Sequence, residues 1–194
     1  MIKGVIFDLD GTLIKLPINY NKIFEKLNDL FKTNDEFKPL IPTILKKSYH
    51  NPNLQNMGFE IICREEIKAV ENLEIFDGTI EILKYINKKN IKIFLVTMQC
   101  KSAAEAVLKN LKIKKYFSEI ITRDEIPDRY LQIMKIIKNN EIAPKEMLLI
   151  GDRMHDINSA KKAQCIGILI SKKTIDKPDF KIISNLLELK NIIS

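Results

Sequence analysis

Residues 5–12 read VIFDLDGT, an apolar run that ends abruptly in a turn with two aspartates and a glycine. The branched and aromatic residues of the run are typical of a strand that is buried on both faces, as in a parallel sheet covered by helices. In an open sheet of this kind, ligands bind beyond the carboxyl ends of the strands. The segment therefore predicts a core strand with a functional site immediately after it.

Similar apolar runs recur along the chain and alternate with helical stretches. This order predicts an α/β fold with a Rossmann-like, doubly wound parallel sheet. Ser102 and Glu105 have the spacing of a capping box, which sets the expected start of one helix. The predicted strands after the first are 93–96, 120–121, 147–150 and 166–170, and the predicted helices are 78–89, a segment starting at Ser102, 129–139, 156–163 and 185–192.

Residues 15–76 interrupt this alternation, because they contain no convincing strand. Apolar residues recur at helical spacing around Leu27 and again around Ile62, which indicates amphipathic helices. Prolines limit those helices to short or medium length. The simplest interpretation is a helical insertion, with residues 1–14 and 77–194 forming one α/β core.

Length and composition narrow the class of protein. The 194 residues are 45% hydrophobic and 29% charged, proportions that exclude a disordered chain and a disulfide scaffold. No apolar run approaches the roughly 18 residues of a membrane helix, and the N-terminus lacks the apolar region of a signal peptide. Three widely spaced cysteines, an odd number, are interpreted as reduced thiols. These features predict a cytoplasmic protein with no membrane partner.

The net charge of +7 raises the question of nucleic-acid binding. However, only four of the 32 basic residues are arginine, the residue that makes bidentate phosphate and base contacts. The lysines are scattered, which is typical of a solvated basic surface, with steering of an anionic substrate as the alternative. We expect no nucleic-acid partner, and the oligomeric state stays open.

Acidic and hydroxyl side chains follow three of the predicted strands. Asp8 and Asp10 follow the first strand, Thr97 follows a second, and Asp152 and Asp156 follow a third. Because the carboxyl ends of parallel strands meet at one edge of a sheet, four carboxylates would converge there, and their repulsion calls for a cation. Hard oxygen ligands without a histidine or cysteine cluster favour Mg²⁺.

These residues resemble the motifs of the haloacid dehalogenase-like hydrolase superfamily, in particular its phosphoglycolate-phosphatase-like members with a helical cap. Residues 8–13, DLDGTL behind an apolar strand, match the first motif of the family, and Thr97 matches the second. The Gly-Asp pair ending in Asp152, with Asp156 four residues later, matches the fourth. The resemblance implies that 15–76 is an α-helical cap domain inserted in the core.

The resemblance also assigns a role to each of these residues. Asp8 would be the nucleophile that forms an aspartyl-phosphate, and Asp10 would act as general acid and then as general base. Thr97 would hydrogen-bond a phosphoryl oxygen. Asp8, the backbone carbonyl of Asp10 and Asp152 would bind Mg²⁺. Asp156 would support the metal through water or orient its neighbours.

One motif of the family is altered in this chain. The family's third motif supplies a lysine that neutralises the nucleophile and the phosphoryl group, but no lysine lies between Lys115 and Lys135. Arg129, at the start of a predicted helix, is the first candidate for this role, Arg123 is the second and Lys135 the third. An arginine here would bind the phosphoryl oxygens of the substrate by a bidentate contact.

The function implied by the resemblance is a Mg²⁺-dependent phosphatase of a small phosphorylated metabolite, with the cap closing over the site. Asp10 favours phosphoryl transfer over dehalogenation, because a leaving halide needs no proton. A phosphomutase that returns the phosphoryl group to its substrate is one alternative. A binding or regulatory protein with little catalysis is another, and the altered third motif favours it.

Overall fold

The computed structural model describes residues 1–173, 176 and 178–193 and places six of its strands in one parallel sheet. No helix in this part of the chain is both long and apolar enough to cross a membrane. In chain order the strands are Gly4–Phe7 (β1), Ile14–Lys15 (β2), Glu74–Ile75 (β3), Lys92–Val96 (β4), Glu119–Ile121 (β5), Met147–Gly151 (β6), Ile166–Ile170 (β7) and Lys181–Ile183 (β8). The α-helices are Tyr20–Phe31 (α1), Leu40–Lys47 (α2), Pro52–Ala69 (α3), Thr79–Lys88 (α4), Lys101–Asn110 (α5), Arg129–Asn140 (α6), Met154–Lys162 (α7) and Lys190–Ile193 (α8).

Strand β1 lies inside the parallel sheet, whose order is β5-β4-β1-β6-β7-β8. Phe7 at its end pairs in register with Leu95 of β4 and with Ile150 of β6. The chain extends the sheet from β1 through β4 to β5 and then crosses to β6 on the other side of β1. Ligand sites of doubly wound folds lie where the strand order reverses in this way. The predicted Rossmann-like α/β fold is confirmed.

Helices cover both faces of this sheet, as strands that are apolar on both sides require. Adjacent residues of β1 point to opposite faces. Val5 belongs to a buried apolar cluster with residues of α4 and α5, whereas Ile6 belongs to a second cluster with residues of α6 and α7. Burial of these two clusters is therefore the main force that holds the sheet and its helices together.

Helices α1, α2 and α3 make up the helical insertion (residues 15–76). They share an apolar cluster of their own, which includes Leu27, Ile44 and Ile62. The chain enters and leaves the insertion through an antiparallel ribbon of β2 and β3, in which Ile14 pairs with Ile75. The prediction that this stretch contains no strand is wrong for β3, because a two-residue strand is too short to produce a recognisable alternation.

Helix α5 begins at Lys101, one residue earlier than predicted, and no side chain of its own sequence caps it. The expected capping box of Ser102 is therefore wrong. The backbone N–H of Cys100 donates to Glu66 Oε2 at 2.9 Å, and that of Lys101 donates to Asp124 Oδ2 at 2.8 Å. Carboxylates of distant segments thus satisfy the N–H groups at the start of the helix, a task that a local serine often performs.

A disulfide bond joins Cys63 of α3 to Cys100 at the start of α5, with Cα atoms 5.5 Å apart. The prediction of reduced thiols is wrong for this pair. The two cysteines are separated by 37 positions and meet because α3 packs against α5, a contact that no local pattern reveals. Cys165 is a buried free thiol, and burial raises its pKa to about 12.

Candidate active site

Four aspartates gather at the carboxyl ends of the neighbouring strands β1 and β6. Asp8 directly follows β1, and Asp152 directly follows β6. Asp10 lies two residues beyond Asp8, and Asp156 lies in the first turn of α7. Asp8 and Asp156 are buried, whereas Asp10 and Asp152 are partly exposed. The structure thus brings together the four carboxylates of the first and fourth motifs.

Two glycines allow the backbone after β1 and at the end of β6 to lie close to the carboxylates of the cluster. Gly11 has a φ angle of +90°, and a Cβ atom at this position would lie 2.3 Å from Asp152 Oδ2. A Cβ atom on Gly151 would lie 2.4 Å from Asp156 Cγ. Any larger residue would displace a carboxylate, and at Gly11 it would also adopt a strained backbone conformation.

Arg129, the first residue of α6, brings a buried cation into the carboxylate cluster. Its Nη2 donates to Asp8 Oδ1, and its Nε lies 3.0 Å from Asp156 Oδ1 without the alignment of a hydrogen bond. Its Nη1 donates to Gln132 Oε1 at 3.2 Å. The Asp128 side chain caps α6 by accepting from the third N–H of the helix at 2.8 Å. The guanidinium therefore extends from a fixed backbone.

Burial makes ionisation of Asp8, Asp10 and Asp152 unfavourable. It raises the pKa of Asp8 from 3.8 to about 7, against the lowering effect of Arg129, and the neighbouring aspartates raise the pKa further. Burial also raises the pKa of Asp10, although Asp10 Oδ1 accepts a hydrogen bond from the Leu16 N–H at 2.8 Å. The pKa of Asp152 is raised mainly by burial as well. Arg129 alone thus does not balance the negative charge of the cluster, and a bound cation would compensate the remainder.

The donor atoms of the cluster suit a hard divalent cation. Asp152 Oδ1 is buried and has no hydrogen-bond partner among the described residues. Carboxylate oxygens of Asp8 and the backbone carbonyl of Asp10 belong to the same strand end. Oxygen donors of this kind fit Mg²⁺, which binds through few carboxylates and retains several waters.

Thr97 directly follows β4, the other neighbour of β1. Its Oγ1 accepts from the Gln99 N–H at 3.1 Å, and its backbone carbonyl accepts from Gln132 Nε2 at 3.0 Å. The residue is buried and lines the same cavity as Asp8. Because the hydroxyl accepts this bond, its proton can be donated to a ligand oxygen.

The other two candidates for the missing lysine lie in different surroundings. Arg123 is buried, and its Nη1 and Nη2 donate to the two carboxylate oxygens of Glu66 on α3, at 2.8 and 3.0 Å. Lys135 pairs with an acidic residue on the surface. Within the described residues, Arg129 is the one candidate of the three that contacts Asp8.

A cavity of about 410 Å³ lies between the aspartates and the helical insertion. Asp8, Thr97 and Arg129 line it on the side of the sheet. Glu66 and Arg153 also line it, and the sequence assigned neither to the site. A glutamate in an amphipathic helix carries no distinguishing signal. Arg153 lies inside the fourth motif, but its side chain is 66% exposed and no pattern marks it as functional.

Comparison with known proteins identifies a family and several similar chains. Residues 5–170 match the family model described as haloacid dehalogenase-like hydrolase. The chain is 31% identical over 207 residues to "Putative pyrophosphatase PpaX" of Clostridium perfringens, covering 93% of this chain and 92% of that protein. It is 22% identical over 188 residues to phosphoglycolate phosphatase of Pseudomonas savastanoi, covering 87% of this chain and 69% of that protein.

A solved structure of similar fold is that of a predicted phosphatase from Clostridium acetobutylicum. The two structures superpose with a TM-score of 0.74 at 17% identity, covering 100% of this chain and 98% of the other. At this identity the likeness concerns the fold, and the family model and the 31% identical relative carry the assignment. The chain therefore belongs to the haloacid dehalogenase-like hydrolase family, as the motifs at its strand ends indicated.

Proposed function

We propose that this hydrolase is a Mg²⁺-dependent phosphatase that acts on a small phosphorylated metabolite through an aspartyl-phosphate on Asp8. The observation that carries the proposal is the buried ion pair of Asp8 and Arg129 inside a cluster of four aspartates. A guanidinium and a metal ion can neutralise a phosphoryl group while a carboxylate attacks it. The curated relatives named above, a pyrophosphatase and a phosphoglycolate phosphatase, support phosphoryl chemistry.

The proposed reaction has two steps, both of which use side chains of this protein. First, a carboxylate oxygen of Asp8 attacks phosphorus, the bond from phosphorus to the leaving oxygen breaks, and Asp10 donates its proton to that oxygen. The raised pKa of Asp10 favours the protonated form that this step needs. Second, Asp10 takes a proton from a water molecule, which attacks phosphorus and releases the Asp8 carboxylate. Thr97 and Arg129 bind the phosphoryl oxygens in both steps.

Mg²⁺, when bound, neutralises phosphoryl oxygens and thereby lowers the barrier to attack by an anion. Asp8, Asp152 and the backbone carbonyl of Asp10 would hold it. Asp156 lies 3.0 Å from Arg129 Nε, which favours the orienting role for Asp156 over direct ligation.

In this proposal the helical insertion (15–76) is a cap domain over a catalytic core of residues 1–14 and 77–194. The disulfide between Cys63 and Cys100 and the contact of Glu66 with Arg123 support this arrangement, because both join α3 to segments next to Thr97. The cytoplasmic location stays a prediction. The disulfide weakens it, since such bonds persist mainly in oxidising compartments.

Phosphate release from phenyl phosphate, measured with Mg²⁺ and after EDTA treatment, tests the proposal. We expect hydrolysis with Mg²⁺, none in metal-free protein, and a much higher Mg²⁺ requirement for Asp152→Ala, which loses a ligand. Asp29→Ala, on the exposed side of α1, is the control and should match the wild type.

Two results would argue against this function. Full activity of the metal-free enzyme would contradict the proposal. Isomerisation of a sugar phosphate that depends on a bisphosphate, without net release of phosphate, would identify a phosphomutase instead.

A further inference from the structure

The helical insertion presents mostly hydrocarbon to the cavity above the aspartates. Its polar contributions are Tyr20, at the exposed edge, and Glu66. A group attached to a bound phosphate and directed away from the sheet would therefore meet apolar side chains. The apolar residues that the insertion contributes are Ile18, Pro39, Leu40, Ile41, Pro42 and Ile62.

The insertion also offers no unpaired cation to this cavity. Among the described lining residues, its charged member is Glu66, which Arg123 of the core already binds. Arg129 faces the aspartates, and Arg153 and His155 lie at the exposed rim near the start of α7. A carboxylate or a second phosphate placed against Leu40, Ile41 or Ile62, away from Arg153 at the rim, would lose its water without gaining a partner of opposite charge.

The volume of the cavity leaves room for an organic group. About 410 Å³ is the size of a small-molecule site, and a phosphate alone fills only part of it. Hydrocarbon buried beside Leu40 and Ile62 would add binding energy through the hydrophobic effect.

We propose that the substrate is a phosphate monoester of an uncharged, mainly hydrocarbon alcohol, whose body lies against residues 39–42 and Ile62. The inference rests on the proposed function and adds the chemical class of the leaving group. Pyrophosphate and phosphoglycolate, the compounds in the names of the curated relatives, carry a second anionic group instead. In this chain that group would face hydrocarbon.

Two esters that differ by one charge test this class of substrate. Phenyl phosphate and para-carboxyphenyl phosphate share the same ring, but the second carries a carboxylate opposite the phosphate. The carboxylate makes the phenolate a slightly better leaving group, so chemistry alone favours the charged ester. We expect kcat/KM with Mg²⁺ to be higher for phenyl phosphate by roughly tenfold or more, mainly through KM.

Leu40→Arg adds a cation to the apolar side of the cavity and should reverse this preference. Leu40 lines the cavity and is only partly buried, so an arginine fits without opening the core. We expect KM for the charged ester to fall about tenfold and KM for phenyl phosphate to rise. Met57→Arg, on the exposed surface of α3 outside the cavity, is the matched control and should leave both KM values unchanged.

The outcomes separate this inference from the function on which it rests. Equal or higher kcat/KM of the wild type for para-carboxyphenyl phosphate would overturn the apolar class of substrate but leave the phosphatase intact. A folded Leu40→Arg variant that still prefers phenyl phosphate to the charged ester would also overturn the apolar class of substrate. If that variant does not fold, the comparison of the two esters on the wild type is the test. Release of phosphate from neither ester would overturn the phosphatase and the inference together.

Discussion

Arg123 and Arg129 lie within one short segment, yet they bind acids from opposite sides of the cavity. Arg129 begins a helix capped by Asp128 and contacts Asp8, as its position at a predicted helix start suggested. Arg123 binds Glu66 of the helical insertion. The two guanidinium groups therefore differ in what they stabilise: one pairs with the Asp8 carboxylate at the strand end, and the other joins α3 to the core.

Substitution of the two arginines should separate these roles. Arg129→Ala should lower kcat about 10²–10³-fold, equivalent to about 2.7–4 kcal/mol, by analogy with the loss of one oxyanion donor. Arg129→Lys should restore part of the activity, because lysine supplies the same charge. Arg123→Ala should lower kcat tenfold or less, roughly 1.4 kcal/mol. It should also reduce the free energy of unfolding by about 3–5 kcal/mol, since it leaves Glu66 buried and unpaired.

Steady-state kinetics and denaturant unfolding of the same three variants check this prediction. If Arg123→Ala loses more activity than Arg129→Ala while both are folded, Arg123 is the phosphoryl-binding cation. If neither affects kcat, the missing lysine has another substitute, and our placement of the third motif is wrong.

The pKa of Asp8 predicts how the stability of the metal-free protein depends on pH. Because burial raises this pKa from 3.8 to about 7, the folded state holds the proton more tightly than the unfolded chain does. The resulting stabilisation is present at low pH and is lost as the pH rises through about 7. Asp8→Asn stays neutral throughout, so its free energy of unfolding relative to that of the wild type should rise by roughly 1–4 kcal/mol between about pH 4 and 8.

Chemical unfolding of metal-free protein between about pH 4 and 8 measures this difference. The stability of Asp8→Asn relative to that of the wild type should therefore fall toward the acidic end of this range. A constant difference across the range would show that Asp8 ionises as an ordinary aspartate.

At the scale of elements, strands that carry an apolar run could be predicted, including the short edge strand β5, and strands without such a run could not. The run at 166–170 is β7 without change, and its neighbour β6 extends the predicted run by one glycine. Strands covered on both faces are continuously apolar, which makes their bounds plain. The edge strand β8 has three residues and begins with an exposed lysine, so no apolar run marks it. The start of α5 escaped prediction because distant carboxylates cap it.

Loss of the disulfide between α3 and α5 should destabilise the fold. The bond joins residues separated by 37 positions, and closing a loop of this length stabilises a protein by about 3–4 kcal/mol through the entropy of the unfolded chain. Cys100→Ser should lose this amount, and dithiothreitol should have the same effect on the wild type. Unfolding of Cys100→Ser should be insensitive to dithiothreitol. Titration of three free thiols in the denatured, unreduced wild type would contradict the bond.

Across the whole molecule, the two sides of the cavity differ in how far the sequence predicts them. Asp8, Thr97 and Asp152 follow strands, and in a parallel sheet a position after a strand determines a place at the site. Leu40 and Glu66 reach the cavity only because the helical insertion packs over it, and no local pattern encodes that packing. The positions of the carboxylates and of Thr97 could therefore be predicted from motifs, whereas the apolar side of the cavity required the structure.

Transfer of phosphate to Asp8 is the central step of the proposed function. Acid quenching of the enzyme during turnover of phenyl phosphate with Mg²⁺, followed by borohydride reduction, converts an aspartyl-phosphate into homoserine, which peptide mass spectrometry locates. We predict homoserine at position 8 in the wild type, and none in Asp8→Asn or in EDTA-treated enzyme. Homoserine at another aspartate, or phosphate release by Asp8→Asn at the wild-type rate, would contradict the transfer of phosphate to Asp8.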